Sequence, residues 1–271
     1  MDFQLKALQA LRETDPVEKC QLTSALHVEL EVTDDLESLI TTSTSIRSPG
    51  VPDKPELVHP RELSRRGSGT AAGRLALLHA IAHIEFNAIN LALDAAVRFK
   101  SLPVQYYRDW ITVAVDEARH YTLLTGRLAD FKAQYGDYSA HQGLWDMALR
   151  TAHDPLDRMA MVPRILEARG LDVTPAMIKQ FEQAKDIQTA NILRRILNEE
   201  VAHVEAGSRW FRYLCEQRSL EPEAAWFERV SFYLGNDVRC PINMEDRRRA
   251  GFKKSELEWL KTACRQAAIS G

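Results

Sequence analysis

The feature that most restricts this chain is a short pattern used twice. Asp116-Glu117-Ala118-Arg119-His120 and Glu199-Glu200-Val201-Ala202-His203 each contain Glu-x-x-His, and each follows a lone glutamate, Glu85 and Glu167. The glutamates are 32 residues apart in the first copy and 33 in the second. On an α-helix, positions i and i+3 share a face about one turn apart, so each Glu-x-x-His aims a carboxylate and an imidazole at one point. Two such pairs with two lone glutamates supply four carboxylates and two histidines, the ligand set of di-iron and di-manganese sites in four-helix bundles. The pattern predicts an all-α chain.

Local signals place these residues on helices. Thr70 reads as the N-cap of a helix running to about Phe99, with Leu75, Leu78, Ala82, Ile89, Ala92 and Ala96 on its apolar side. Pro103 opens a second helix to about Tyr135, whose inward face holds Val113, Ala114, Glu117, His120, Tyr121 and Leu124. The short connection makes the two an antiparallel hairpin; Glu85 lies 14 residues before Phe99 and Glu117 lies 14 after Pro103, so they meet at one height. In the second half, Asp154-Pro155 starts a helix predicted to end near Gly170, with Glu167 in its last turn, and Thr174-Pro175 starts another. Unbroken to Arg218, that helix would carry Glu200 about 37 Å from its start, too far to meet Glu167. A break at Asp186, as N-cap of a helix from 187 to about 218, puts Glu200 14 residues in and restores the parallel with the first hairpin.

Around this 70–218 bundle, residues 1–69 read as two short helices broken at Thr14-Asp15-Pro16, then a surface arm rich in Pro, Ser and Gly. Residues 219–271 read as a C-terminal cap of two helices, near 221–234 and 255–268, joined by irregular chain. With 271 residues, 45% of them hydrophobic, there is ample material for a core. The net charge of −3 argues against a surface devoted to nucleic acid. No signal-like apolar segment opens the chain and no uninterrupted apolar stretch approaches a membrane span, so the expectation is a cytoplasmic protein without a membrane partner. Cys20, Cys215, Cys240 and Cys264 are dispersed with no Cys-x-x-Cys, which reads as small half-buried hydrophobes in a reducing compartment.

Four ionised glutamates offset the charge of two Fe(II) ions, whereas without metal the carboxylates must take up protons to be buried together. Oxygen-rich ligation with one histidine per metal suits iron, with manganese as the alternative. The expected metal ligands are Glu85, Glu117, His120, Glu167, Glu200 and His203, with Glu117 and Glu200 as bridging, catalytically important carboxylates. Asp116 and Glu199 are placed to reach His203 and His120 and fix their orientation, and Arg119 to pair with one of them; the plainer reading is charges on a solvated face. His79 and His83 share a face turned away from Glu85, and a core or interhelical hydrogen-bonding role is expected for them. His27, His59, His141 and His153 read as surface or capping residues, and Tyr107, Tyr121, Trp145 and Trp210 as core.

At these residues the chain resembles the ferritin-like superfamily, and Asp116–His120 resembles the D-E-x-R-H motif of bacterial multicomponent mono-oxygenases. Leu77–Glu85, Asp154-Pro155 and Glu167-Ala168-Arg169-Gly170-Leu171-Asp172 resemble, over about 50–255, the uncharacterised ferritin-like family known as domain of unknown function 455. That family is similar, more distantly, to tRNA-modifying di-iron hydroxylases. The resemblance implies a ferritin-like four-helix bundle with extra N- and C-terminal helices. Leu124 stands where the ribonucleotide reductase small subunit has its radical tyrosine, and Ala202 where a second mono-oxygenase motif would have arginine.

The leading functional expectation is a di-iron oxidoreductase that uses O2 and an electron donor to hydroxylate or otherwise oxidise a small organic substrate, with Ala88, Ala114 and Gly207 leaving room for it. A tRNA hydroxylase would need a basic path, for which Arg247-Arg248-Arg249 with Lys253-Lys254, and Arg65-Arg66, are the clusters available. Ferroxidase, iron-handling or non-enzymatic metal-binding roles are the remaining readings.

Overall fold

A computed structural model describes residues 3–32, 46–63, 69–235 and 238–270. The chain is all-α: among the described residues the only β feature is an isolated parallel bridge between Leu57 and Ala140. It divides into two compact units, Met1–Leu149 and Arg150–Gly271. That boundary falls inside the 70–218 span read from the sequence as one bundle.

In the first unit, α1 (Phe3–Arg12) and α2 (Pro16–Val32) break at the Asp15-Pro16 step, where the Asp15 carboxylate accepts from the N–H groups of Val17 and Glu18. The central pair is α3 (Ala71–Arg98) and α4 (Val104–Asp130). Thr70 caps α3 by accepting from the Gly73 N–H at 3.0 Å. Tyr106 Oη donates to Ala95 O and Phe86 packs on Tyr121, pairings that run in opposite directions along the helices and make them an antiparallel hairpin. α4 stops at Asp130, short of the expected Tyr135, which lies in the following turn with its ring against Tyr121 and Phe86. A short α5 (Gly143–Arg150), which the sequence reading did not anticipate, closes the unit.

The N-terminal helices pack on this hairpin. Lys19 is fully buried, and its ammonium donates to Ala10 O, Leu11 O and Asn90 Oδ1 at 3.1, 2.8 and 2.7 Å. Three protons meet three acceptors at the end of α1, where the last carbonyls have no helical partner. Residues 46–63 of the arm are bound into the unit rather than trailing from it. Gly50 donates to Leu11 O, and a Cβ there would meet the Arg12 and Glu13 carbonyl oxygens at 2.2 Å. Trp145 Nε1 donates to Arg47 O, Arg98 to Ile46 O, and Val58 N to Ala140 O. Residues 33–45 and 64–68, including Arg65-Arg66, lie outside the described residues.

α3 is long and apolar enough to pass as a membrane span by length and composition alone, although, as the sequence suggested, its apolar run is interrupted. Most of it is buried, and it carries buried His79, Glu85, Asn87, Asn90 and Asp94, as the core helix of a folded unit does.

In the second unit, Asp154 caps α6 (Pro155–Met161) as expected. The helix does not end near Gly170. It widens into a π-helical segment, Val162–Glu167, and continues as α7 (Ala168–Gln183) through Pro175. Pro175 has no N–H for Leu171 O; the side-chain amide of Asn243 donates to that carbonyl instead, at 3.1 Å. Asp186 caps α8 (Ile187–Gln217), accepting from Thr189 N and Thr189 Oγ1 at 3.1 and 2.7 Å. α7 and α8 are antiparallel: Glu182 pairs with Arg194 near the turn, and Arg164 reaches Ser208 farther on. Gly207 leaves no space for substrate, because Pro163 fills it; a Cβ on Gly207 would lie 2.4 Å from the proline ring. α9 (Pro222–Leu234) and α11 (Lys254–Ser270) match the expected helices, but a further α10 (Met244–Arg249), capped by Asn243, lies in the stretch expected to be irregular.

Candidate metal centre

Each unit carries one copy of the ligand pattern. In the first, Glu85 projects from the middle of α3 and Glu117 and His120 from the inner face of α4, all at most 4% exposed. His120 Nδ1 lies 3.1 Å from Glu85 Oε2 and 3.4 Å from Glu117 Oε2. One ligand atom from each of the three falls within 4.8 Å of the others, close enough for a shared cation. Thus the expected i, i+3 pair and its lone glutamate are brought together.

The electrostatics of this triad fit a metal. Burial, and then the neighbouring charge of Glu117, push the Glu85 carboxyl up to about 8. His120 is pulled down by burial, but hydrogen bonds to Glu117 and Glu85 outweigh this and raise it to about 11. The pocket is thus short of positive charge: one imidazolium cannot offset two carboxylates, so one of them tends to hold a proton. A divalent cation would replace both protons, and the oxygen and nitrogen donors suit iron or manganese.

In the second unit, Glu200 and His203 share the buried face of α8, with His203 Nδ1 3.6 Å from Glu200 Oε1. Glu167 is half-buried at the junction of the π-helical segment and α7, not in a last helical turn. A π segment widens the helix at this residue, a device common at functional sites.

Arg119 pairs with Asp116 at 2.7 Å, and Arg195 donates to Glu199 at 3.2 Å. His83 has the hydrogen-bonding role expected of it, between Tyr135 Oη, His141 O and Asn87. His79 accepts from the Gly136 N–H and stacks on Tyr135. His141 caps the start of α5 by accepting from the Gly143 N–H, while His153 is exposed near Asp157. Tyr107, Tyr121, Trp145 and Trp210 are buried. Within the basic cluster considered for a nucleic-acid path, Arg247 is buried on Asp172 and Arg249 pairs with Asp246, so two of its charges are already engaged.

What the sequence reading missed is the group bracing the helix on either side of Glu167. Arg164, 2% exposed, makes two 2.8 Å bonds to Glu256 beneath the rings of Phe211, Trp226 and Phe252. Arg247 makes bonds of 2.9 and 2.7 Å to Asp172. Nothing local marks these partners, which lie 75 to 92 residues apart. The cysteine reading also needs correction: Cys240 and Cys264 form a pair with Cα atoms 5.6 Å apart, while Cys215 is buried and Cys20 half-buried as expected.

A protein from Haemophilus influenzae described as "Uncharacterized protein" is 40% identical over 264 residues, covering 93% of this chain and 91% of that one. No solved structure matches the chain. The family model described as "Protein of unknown function (DUF455)" matches residues 12–258, and the chain belongs to that family.

Proposed function

We propose that this protein is a ferritin-like di-metal oxidoreductase, in which the two helical hairpins form a four-helix bundle. Glu85, Glu117 and His120 with Glu167, Glu200 and His203 would hold two iron ions, manganese being the alternative. The observation that carries this reading is the burial of Glu85 and Glu117 around His120, a charge arrangement that a bound cation relieves. The repeat of the same residue types on α8 and at the π-helical junction supports a second metal position. Bound iron supplies the activation of O2 for oxidising a small organic substrate. The chain's own part is to bring the carboxylates together, orient the imidazoles and keep bulk water from the buried triad.

Elemental analysis after iron-replete expression is expected to give about two metal ions per chain. Fewer than one after anaerobic reconstitution would overturn the metal reading. Glu117→Asp keeps the charge and shortens its reach; it is expected to retain metal but consume O2 at least ten-fold more slowly, about 1.4 kcal/mol of transition-state stabilisation. A fully loaded wild type that consumes no O2 with a chemical reductant present would replace the oxidoreductase with a non-enzymatic metal-binding protein.

A further inference from the structure

The second unit places two sulfur atoms where they can control the bracing of Glu167. Cys240 is exposed and Cys264, on α11, half-buried, with a Cα separation of 5.6 Å that a disulfide spans. The residues around and between them grip one stretch of helix, 164–172. Arg169 donates to the carbonyl oxygens of Arg239, Cys240 and Pro241. Asn243 N–H donates to Asp172 at 2.8 Å and its side chain to Leu171 O. Arg247 binds Asp172 and reaches Arg164 O, and Glu256 takes the Arg164 guanidinium. Joining positions 240 and 264 therefore closes a ring that contains Asn243, Arg247 and Glu256, and limits how far any of them can leave the helix on which Glu167 sits.

We propose that Cys240 and Cys264 are a reversible thiol–disulfide switch that sets how firmly the 240–264 span holds residues 164–172; its consequence for metal at Glu167 rests on the function proposed above. The oxidant is a small-molecule disulfide of the glutathione class. Cys240, the exposed thiol, attacks as thiolate, forms a mixed disulfide and expels one thiolate. Cys264 then loses its proton to solvent, attacks Sγ of Cys240 and expels the second. Two protein thiols are oxidised, one small disulfide is reduced to two thiols, and excess small thiol reverses both steps.

The test equilibrates the full-length protein with oxidised or reduced glutathione. Thiols counted after denaturation should fall from four to two per chain on oxidation, and peptide mass should join Cys240 to Cys264. Hydrogen exchange of the 164–172 amides should slow at least about five-fold in the oxidised protein, as for a locally opening segment whose opening is restrained. Cys264→Ser should exchange at the reduced rate in both buffers. Four persisting thiols, a bond to Cys20 or Cys215, or a disulfide that forms without slowing exchange would each overturn the switch. These readouts make no use of metal, so they decide the switch independently of the metal reading. In the metal-loaded protein, a chelator should strip metal more slowly after oxidation.

Discussion

Three residues before Glu85 stands Ala82; three residues before Glu167 stands Arg164. Both are buried on their helices, yet the first is a small apolar side chain while the second carries a charge that pairs with Glu256. Five residues after each glutamate the halves converge again. Asn90 and Asp172 both receive a buried cation from a flanking segment, Lys19 from α2 and Arg247 from α10. The same ligand pattern is thus braced from the N-terminal side by a cation on a neutral amide, and from the C-terminal side by two buried ion pairs. The terminal segments act as the outer supports of the two glutamate-bearing helices.

The largest effect expected from this comparison concerns pH and belongs to the first hairpin. Glu85 moves from its ordinary 4.5 up to about 8, so between those values the folded, metal-free protein keeps a proton that the unfolded chain has released. His120, raised from 6.5 to about 11, gives stability that is full below 6.5 and lost as pH climbs toward 11. Glu85 therefore makes metal-free protein less stable as pH rises above 4.5, and His120 adds to the loss above 6.5. Metal-loaded protein should show the opposite slope over pH 5–7, because ligation displaces protons. Urea midpoints with and without metal check this, and parallel slopes would mean that the triad does not take the cation.

The next effect tests the contrast in bracing. Arg164→Met leaves Glu256 buried without its partner and is expected to cost about 3–5 kcal/mol. Lys19→Met strands neutral acceptors only and should cost about 1–3 kcal/mol. Equal losses in chemical denaturation would mean that charge is not what separates the two supports.

The smallest effect tests what the halves share. Thr70→Ala and Asp186→Ala each remove an N-cap and should each lower stability by about 1 kcal/mol. An unchanged midpoint for Asp186→Ala would break the equivalence of the two hairpins.

Those caps were legible because they are local: Thr70, Asp154-Pro155 and Asp186 each meet an N–H two or three residues away. The inward faces around Glu117 and Glu200 follow from the same short-range periodicity. Gly170 misled as a stop and Thr174-Pro175 as a new start because the hydrogen bond that keeps the helix going comes from Asn243, 72 residues from Leu171. Likewise Gly207 looked like open space until Pro163 filled it, and the π-helical segment bearing Glu167 has no period of its own to read. Cys240 and Cys264 lack Cys-x-x-Cys spacing because their pairing depends on how α11 returns to the strand of chain before α10. The buried cations at Lys19 and Arg247 meet equivalent positions, five residues after each glutamate, and sequence offset alone conceals this, since one cation precedes its glutamate and the other follows.

Lys19 also makes the first unit report on itself. Its amine is enclosed at the corner of α1 and α2, and burial lowers it to about 7. An amine held near neutrality is a strong nucleophile wherever a reagent can touch it, but here no reagent can while α1 stays docked. Acylation of Lys19 therefore proceeds only during excursions in which the corner lifts from α3, and its rate relative to the exposed lysines measures how often the helix bearing Glu85 loses its N-terminal support.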